Sequence, residues 1–159
     1  MDEVVRAGDP KCQIGVFRPS FLLDASILTV FDRIEKASCG GQNGKPSVSE
    51  ENLRLLNETF PDYLEPALQL IDHDAVKTYV GPNGRTVYQL KEAADSKIFL
   101  LSTLAFCGCC DFQVAVLERR SLPMCRHILA AELTKRLKPV HPISVSAREI
   151  VDLVSCALF

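Results

Sequence analysis

The sequence predicts an α+β fold: N-terminal helices, a three-stranded antiparallel sheet, then C-terminal helices. Three observations predict it. Apolar residues recur at helical spacing over residues 20–38 and again over 53–71. Residues 75–106 change to β-branched and aromatic runs around an Asn-Gly loop. Helical spacing returns from Arg126 onward. A boundary is expected in a Gly- and Asn-rich stretch, separating residues 1–47, a helix and flexible linker, from a folded domain over 48–159.

Residues 1–19 show no periodicity and hold Pro10 and Pro19, so a loose start is expected. Residues 20–38 read as a helix, with Ser20 as N-cap and Leu23, Ile27, Val30, Phe31 and Ile34 on one stripe. The following CGGQNGKPS has glycines and a lysine but is not a phosphate loop. Its glycines are too close, Pro46 replaces the hydroxyl residue that would hold magnesium, and no strand precedes it. Ser47 and Glu50 have capping-box spacing for a second helix with Leu53, Leu56 and Phe60, stopped by Pro61. A third short helix starts near Pro66 and carries Leu64, Leu68 and Ile71 on one face. His73 follows in an Asp-rich turn and reads as a solvated loop residue.

Residues 75–80 and 85–90 form a hairpin around Gly81-Pro-Asn-Gly84, with a register left open because Val76 and Tyr79 do not alternate cleanly. Residues 98–106 read as a buried third strand running into Cys107. A short helical turn is expected within 111–118, and a helix over 126–137 with Leu129, Leu133 and Leu137 in one row. Ser146 caps a last helix whose Ile150, Val151, Leu153, Val154 and Leu158 are expected to bury, and apolar Phe159 points to a docked terminus or an interface.

Of 159 residues, 47% are hydrophobic, enough for a core, and the net charge is −2, without the global basic excess of many nucleic-acid binders. Charge is uneven. Residues 107–140 hold six cations (Arg119, Arg120, Arg126, Lys135, Arg136, Lys138) against three acids, which leaves the remainder net acidic. The first residues lack a signal peptide's basic start and apolar run, and no stretch reaches a membrane helix's ~18 apolar residues. An intracellular, soluble protein is expected, in which clustered cysteines indicate metal or catalysis rather than disulfides. The odd count of seven Cys agrees.

Four of those cysteines and one histidine fall within CGCCDFQVAVLERRSLPMCRH, residues 107–127. Cys107, Cys109, Cys125 and His127 form a Cys3His set of the kind that holds structural zinc in a tetrahedron. On an extended strand Cys107 and Cys109 share a face, and this prefers Cys109 over the adjacent Cys110. Residues two apart on a helix diverge, so Cys125 must precede the helix and His127 must lie in its first turn. The expected site clamps a strand end to a helix start. Four protein ligands leave no position for a catalytic water, so the ion is structural. Cys12, Cys39 and Cys156 show no spacing pattern.

This CxC…CxH pattern is that of a SWIM-type zinc finger. With LQLIDHDAVKTYVGPNGRTVYQL before it and MCRHILAAEL at its end, the chain resembles the small single-domain SWIM protein family of the Shu homologous-recombination complex, over roughly residues 53–155. The family often has Pro where this chain has Cys110. The resemblance implies zinc on Cys107, Cys109, Cys125 and His127 in a nuclear, non-enzymatic accessory factor of DNA repair. It also implies a RecA-type recombinase paralogue as partner, and promotion of recombinase filaments on single-stranded DNA. No small-molecule substrate and no membrane association are expected.

Two other readings bear on function. The six cations from Arg119 to Lys138 suit a sequence-tolerant DNA-binding finger acting directly on nucleic acid. A ubiquitin-ligase role, by analogy with other SWIM proteins, lacks the second Cys/His ligand set that a RING needs. The final Cys156-Ala-Leu-Phe159 satisfies a prenylation pattern, but no polybasic run precedes it and a packed helix end is the expected reading.

Overall fold

The computed structural model describes residues 25–40, 48–92, 97–101, 106–138 and 141–158. Ser20, Leu23, Ser47, the linker over 41–47 and Phe159 lie outside them. Three helices come first: α1 (Ala25–Gly40), α2 (Glu50–Thr59) and α3 (Leu64–Asp72). The predicted stripe of α1 is its packing face, with Ile27, Val30, Phe31 and Ile34 all buried. The helix runs to Gly40, so Cys39 belongs to it and not to a linker. The N-cap of α2 is Ser49, two residues after the Ser47 expected. The Asn52 N–H donates to Ser49 Oγ at 3.3 Å. Pro66 sits in the first turn of α3, where its missing N–H costs nothing, and Leu64, Ala67 and Ile71 face the core. His73 is exposed at the end of α3, its Nδ1 2.7 Å from the Gln69 carbonyl oxygen.

The sheet has five strands rather than three. They are β1 (Val76–Val80), β2 (Thr86–Lys91), β3 (Lys97–Leu101), β4 (Phe106–Cys107) and β5 (Ile143–Ser144), in the order β4-β3-β2-β1-β5. The β1–β2 hairpin sets Val76 opposite Leu90 and Val80 opposite Thr86. At its tip Asn83 and Gly84 take left-handed φ angles of 70° and 71°, which explains the Asn-Gly pair.

The apolar run over 98–106 is not one strand. It pairs with β2 only to Leu101, and the chain comes back as β4, with Leu100 opposite Cys107. Apolar residues on both sides of Ser102-Thr103 read as one strand, and this short polar pair, which falls between β3 and β4, was the sequence's sign of a break. β5 was missed because two residues carry no periodicity. It adds parallel to β1, and the Val145 N–H closes the edge on the Val80 carbonyl at 3.0 Å.

Both faces of the central strands are covered. Tyr88, Leu90 and Leu100 pack in the main core beneath α1–α3 and α4 (Arg126–Leu137). Val87 and Leu101, on the opposite face, meet Ile150 of α5 (Ala147–Leu158). This sandwiching explains why Val87 and Tyr88, adjacent in sequence, are both buried and why the alternation was unclear. α4 is the central helix: every residue from His127 to Thr134 is buried. α5 begins with a capping box. Ser146 Oγ accepts from the Glu149 N–H at 3.3 Å, and the Glu149 carboxylate accepts from the Ser146 N–H at 2.8 Å. The Ser146 N–H and the Ser146 hydroxyl, both donating to Glu149 Oε2, hold the Glu149 carboxyl below its ordinary pKa. Of the predicted α5 stripe, Ile150 is fully buried, Leu153 and Val154 are half-buried and Val151 is 56% exposed, while the Leu158 side chain lies outside those described. Among the described residues no helix is long and apolar enough to cross a membrane.

Candidate metal centre

The segment between the two ligand pairs is folded back on itself, and each ligand has a local reason for its position. Cys107 ends β4 and is fully buried. Beyond it the strand stops, so Cys109 does not join Cys107 by strand alternation as expected from spacing. It lies in the turn after Gly108, half-buried, and its sulfur accepts from the Phe112 N–H at 3.3 Å. Cys110 starts the helical segment that follows, is exposed, and stands outside the ligand cluster. The predicted helical turn is a π-helix, Phe112–Glu118, which carries Phe112, Ala115 and Val116 inward. Its wider turn is an uncommon device that recurs at functional sites. Arg120, at φ 51°, reverses the chain, and the N–H groups of Ser121 and Leu122 donate to the Ala115 carbonyl at 2.9 and 3.3 Å.

Cys125 is the N-cap of α4, with extended backbone at φ −82° and ψ 169°, and His127 is in the first turn. The extended cap removes the divergence that a regular helix would impose on residues two apart. Cys125 and His127 are fully buried. The four ligand atoms of Cys107, Cys109, Cys125 and His127 lie within 4.8 Å of one another. A tetrahedral zinc with ordinary Zn–S and Zn–N lengths separates sulfur from nitrogen by about 3.6 Å. Here Cys107 Sγ and His127 Nδ1 are 3.7 Å apart, so this pair stands at zinc-ligand spacing.

The electrostatics agree. Hydrogen bonds with Cys109 and Cys125, and then burial, push the Cys107 thiol up. The Cys109 thiol is held down by hydrogen bonds from Cys107 and Cys125. Burial opposes charge on His127, yet hydrogen bonds to Cys109, Cys125 and Glu92 outweigh it and raise its pKa to about 10. A buried group of thiols and an imidazole that share protons this tightly is a site where a divalent cation replaces those protons. Three sulfurs and one nitrogen complete a tetrahedron, so the ion is one structural zinc, with no open position for chemistry.

The cations nearby are largely committed within the chain. Arg126 donates to Glu92 at 2.8 Å. Lys135 and Arg136 reach back to buried Glu132 at 2.6 and 2.7 Å, and Arg136 also lies over the Phe31 ring. Lys138 pairs with Asp74 and donates to the Ile71 carbonyl. Of the six candidate phosphate contacts, Arg119 and Arg120 are the exposed ones. The buried stretch of α4 is His127–Thr134, and Arg126, Lys135 and Arg136 are half-buried in its first and last turns, held to Glu92 and Glu132. Glu92 is the residue at this site that spacing did not reveal. It lies 35 positions before His127 and meets it only in the folded chain.

Comparison with known proteins fits this centre. The SWIM zinc finger family matches residues 86–136, from the start of β2 to the last turn of α4. It is a zinc-binding domain type and not a catalytic one. Zinc finger SWIM domain-containing protein 7 of Homo sapiens is 27% identical over 107 residues, 67% of this chain and 76% of that protein. The protein of the same name from Mus musculus is 29% identical over 107 residues, 67% of this chain and 70% of its own length. The one from Danio rerio is 23% identical over 133 residues, 84% of this chain and 95% of its own length. No solved structure matches the chain. With four ligand atoms converging inside the matched segment, the chain carries a SWIM zinc finger over residues 86–136 and is similar over two thirds or more of its length to zinc finger SWIM domain-containing protein 7.

Proposed function

We propose that this protein is a nuclear, non-enzymatic accessory factor of homologous-recombination DNA repair. It binds a RecA-type recombinase paralogue, and the pair promotes assembly of recombinase filaments on single-stranded DNA, as in the Shu complex. The observation that carries this reading is the similarity to zinc finger SWIM domain-containing protein 7, which extends beyond the finger to 133 residues in one relative. A closed structural zinc moves function from the metal to the surfaces it holds in place. One such surface is the outward side of α5, where Val151 is 56% exposed. Direct action on nucleic acid is the less favoured reading, because Arg126, Lys135, Arg136 and Lys138 are engaged with Glu92, Glu132 and Asp74.

Affinity purification from the native cell, followed by metal analysis, tests the proposal. One zinc per chain and a co-purifying RecA-type protein are expected. Salt-dependent binding of the isolated chain to single-stranded DNA, with no such partner recovered, would replace it with the direct-binding reading.

A further inference from the structure

His127 has two ring nitrogens, and the structure gives them different tasks. Nδ1 faces the ligand cluster, 3.7 Å from Cys107 Sγ. Nε2 points the other way and lies 2.7 Å from Glu92 Oε1. A neutral imidazole, the form that ligates zinc, has two protonation patterns between such neighbours. If Nε2 is bare, it accepts from Arg126 Nε, which lies 3.4 Å away, and Nδ1 carries the proton toward the sulfurs. If Nε2 carries the proton, it donates to the carboxylate, and the Nδ1 lone pair faces the cluster. A carboxylate at 2.7 Å is a pure acceptor at the distance of a charge-assisted bond, while 3.4 Å is a weak contact. The second pattern is therefore the stable one, and it is the one that a metal requires.

We propose that Glu92 is a positioning residue for the zinc centre: it locks His127 as the Nδ1 donor, and Arg126 holds Glu92 in place for that task. The proposal rests on zinc at the Cys3His cluster.

Three features support it. The His127 side chain is fully shielded from water, so an Nε2–H without Glu92 would have no solvent to turn to. The Glu92 side chain is itself only 25% exposed, which limits the screening of its bonds. Arg126 Nη2 donates to the same Oε1 at 2.8 Å, and Arg126 Nη1 lies 3.9 Å from Asp111 Oδ2. The carboxylate is thus clamped between the residue it orients and that residue's immediate neighbour.

Glu92 follows directly after β2, and His127 opens α4. The contact ties the end of the sheet to the imidazole, so a β2 residue's successor controls a ligand that is remote in sequence. An anionic acceptor on the far nitrogen also makes the ligating nitrogen a better donor.

The test compares the full-length protein with Glu92→Ala and Glu92→Gln. Zinc affinity is read by competition with a chromophoric chelator, and the His127 tautomer by nitrogen-15 NMR of the zinc-loaded protein. Glu92→Ala is expected to weaken zinc binding about 10- to 100-fold, the usual range for an outer-sphere partner of a ligating His. Glu92→Gln keeps an acceptor oxygen but not its charge. It is expected to retain the Nε2–H signal at a shifted proton frequency, with an intermediate affinity. Should the Ala variant fail to fold, the Gln variant decides alone. Wild-type affinity and an unshifted Nε2–H signal in Glu92→Gln overturn the proposal. So does a wild-type spectrum with the proton on Nδ1. A wild-type protein that binds no zinc overturns the metal assignment as well, which separates that failure from a failure at Glu92.

Discussion

At the scale of single residues, backbone state decides which sulfur can reach the centre. Cys109 and Cys110 are adjacent and chemically identical. Cys109 sits in a turn with its sulfur directed to the cluster, whereas Cys110 is the exposed start of a helical segment. Cys109→Ala is therefore expected to abolish stoichiometric zinc, while Cys110→Ala retains one zinc per chain, both measured by metal analysis of purified protein. The reverse result would mean that the turn is misread. Spacing alone preferred Cys109 for a strand-alternation reason that does not hold here, because the strand ends at Cys107. The identities of the ligands were legible because Cys and His in this pattern have few other uses. The Glu92 contact was not legible, since a carboxylate 35 residues away carries no local signal.

At the scale of elements, helices were easier to read than strands. Helical periodicity is local, and α4 follows its predicted range because Cys125 caps it and Lys138 leaves it in extended backbone. What periodicity did not show is that α4 is buried all round from His127 to Thr134, with Lys135 and Arg136 turned back to Glu132. The sheet depends on pairing partners, so β4 and β5, two residues each, appear only once their neighbours are in place. The docking of α5 offers a clean test of that assembly. Gly81, at the start of the hairpin tip, lies so close to Ile150 that an added Cβ would stand 3.1 Å from the Ile150 Cβ and Cγ1 atoms. Those atoms are the branched root of the side chain and cannot swing away. Gly81→Ala is expected to displace α5 and lower stability by about 1–3 kcal/mol, the range for overpacking. Chemical denaturation measures it, and a neutral substitution would show that α5 is loosely held.

At the scale of the whole molecule, the zinc centre joins parts that are otherwise distant. Cys107 belongs to the edge of the sheet, Cys125 and His127 to the N-cap and first turn of the central helix, and Glu92 is the residue just after β2. Structural zinc contributes roughly 10–16 kcal/mol of apparent binding free energy, against a typical net domain stability of about 5–15 kcal/mol. Chelation is expected to lower the melting temperature sharply and to open the β4–α4 region first, as read by circular dichroism and hydrogen exchange. An unchanged melting curve after verified zinc loss would remove the clamp role. The sequence by itself determined the fold class, the four residues that cluster as a Cys3His set, the helices and the structural character of the zinc, because these rest on residue chemistry and short-range periodicity. Tertiary structure alone decided the five-strand order, the burial of α4, the internal pairing of its cations and the hold of Glu92 on His127. Each of those depends on groups far apart in the chain, and only burial brings them within the few ångströms at which charge and hydrogen bonding act.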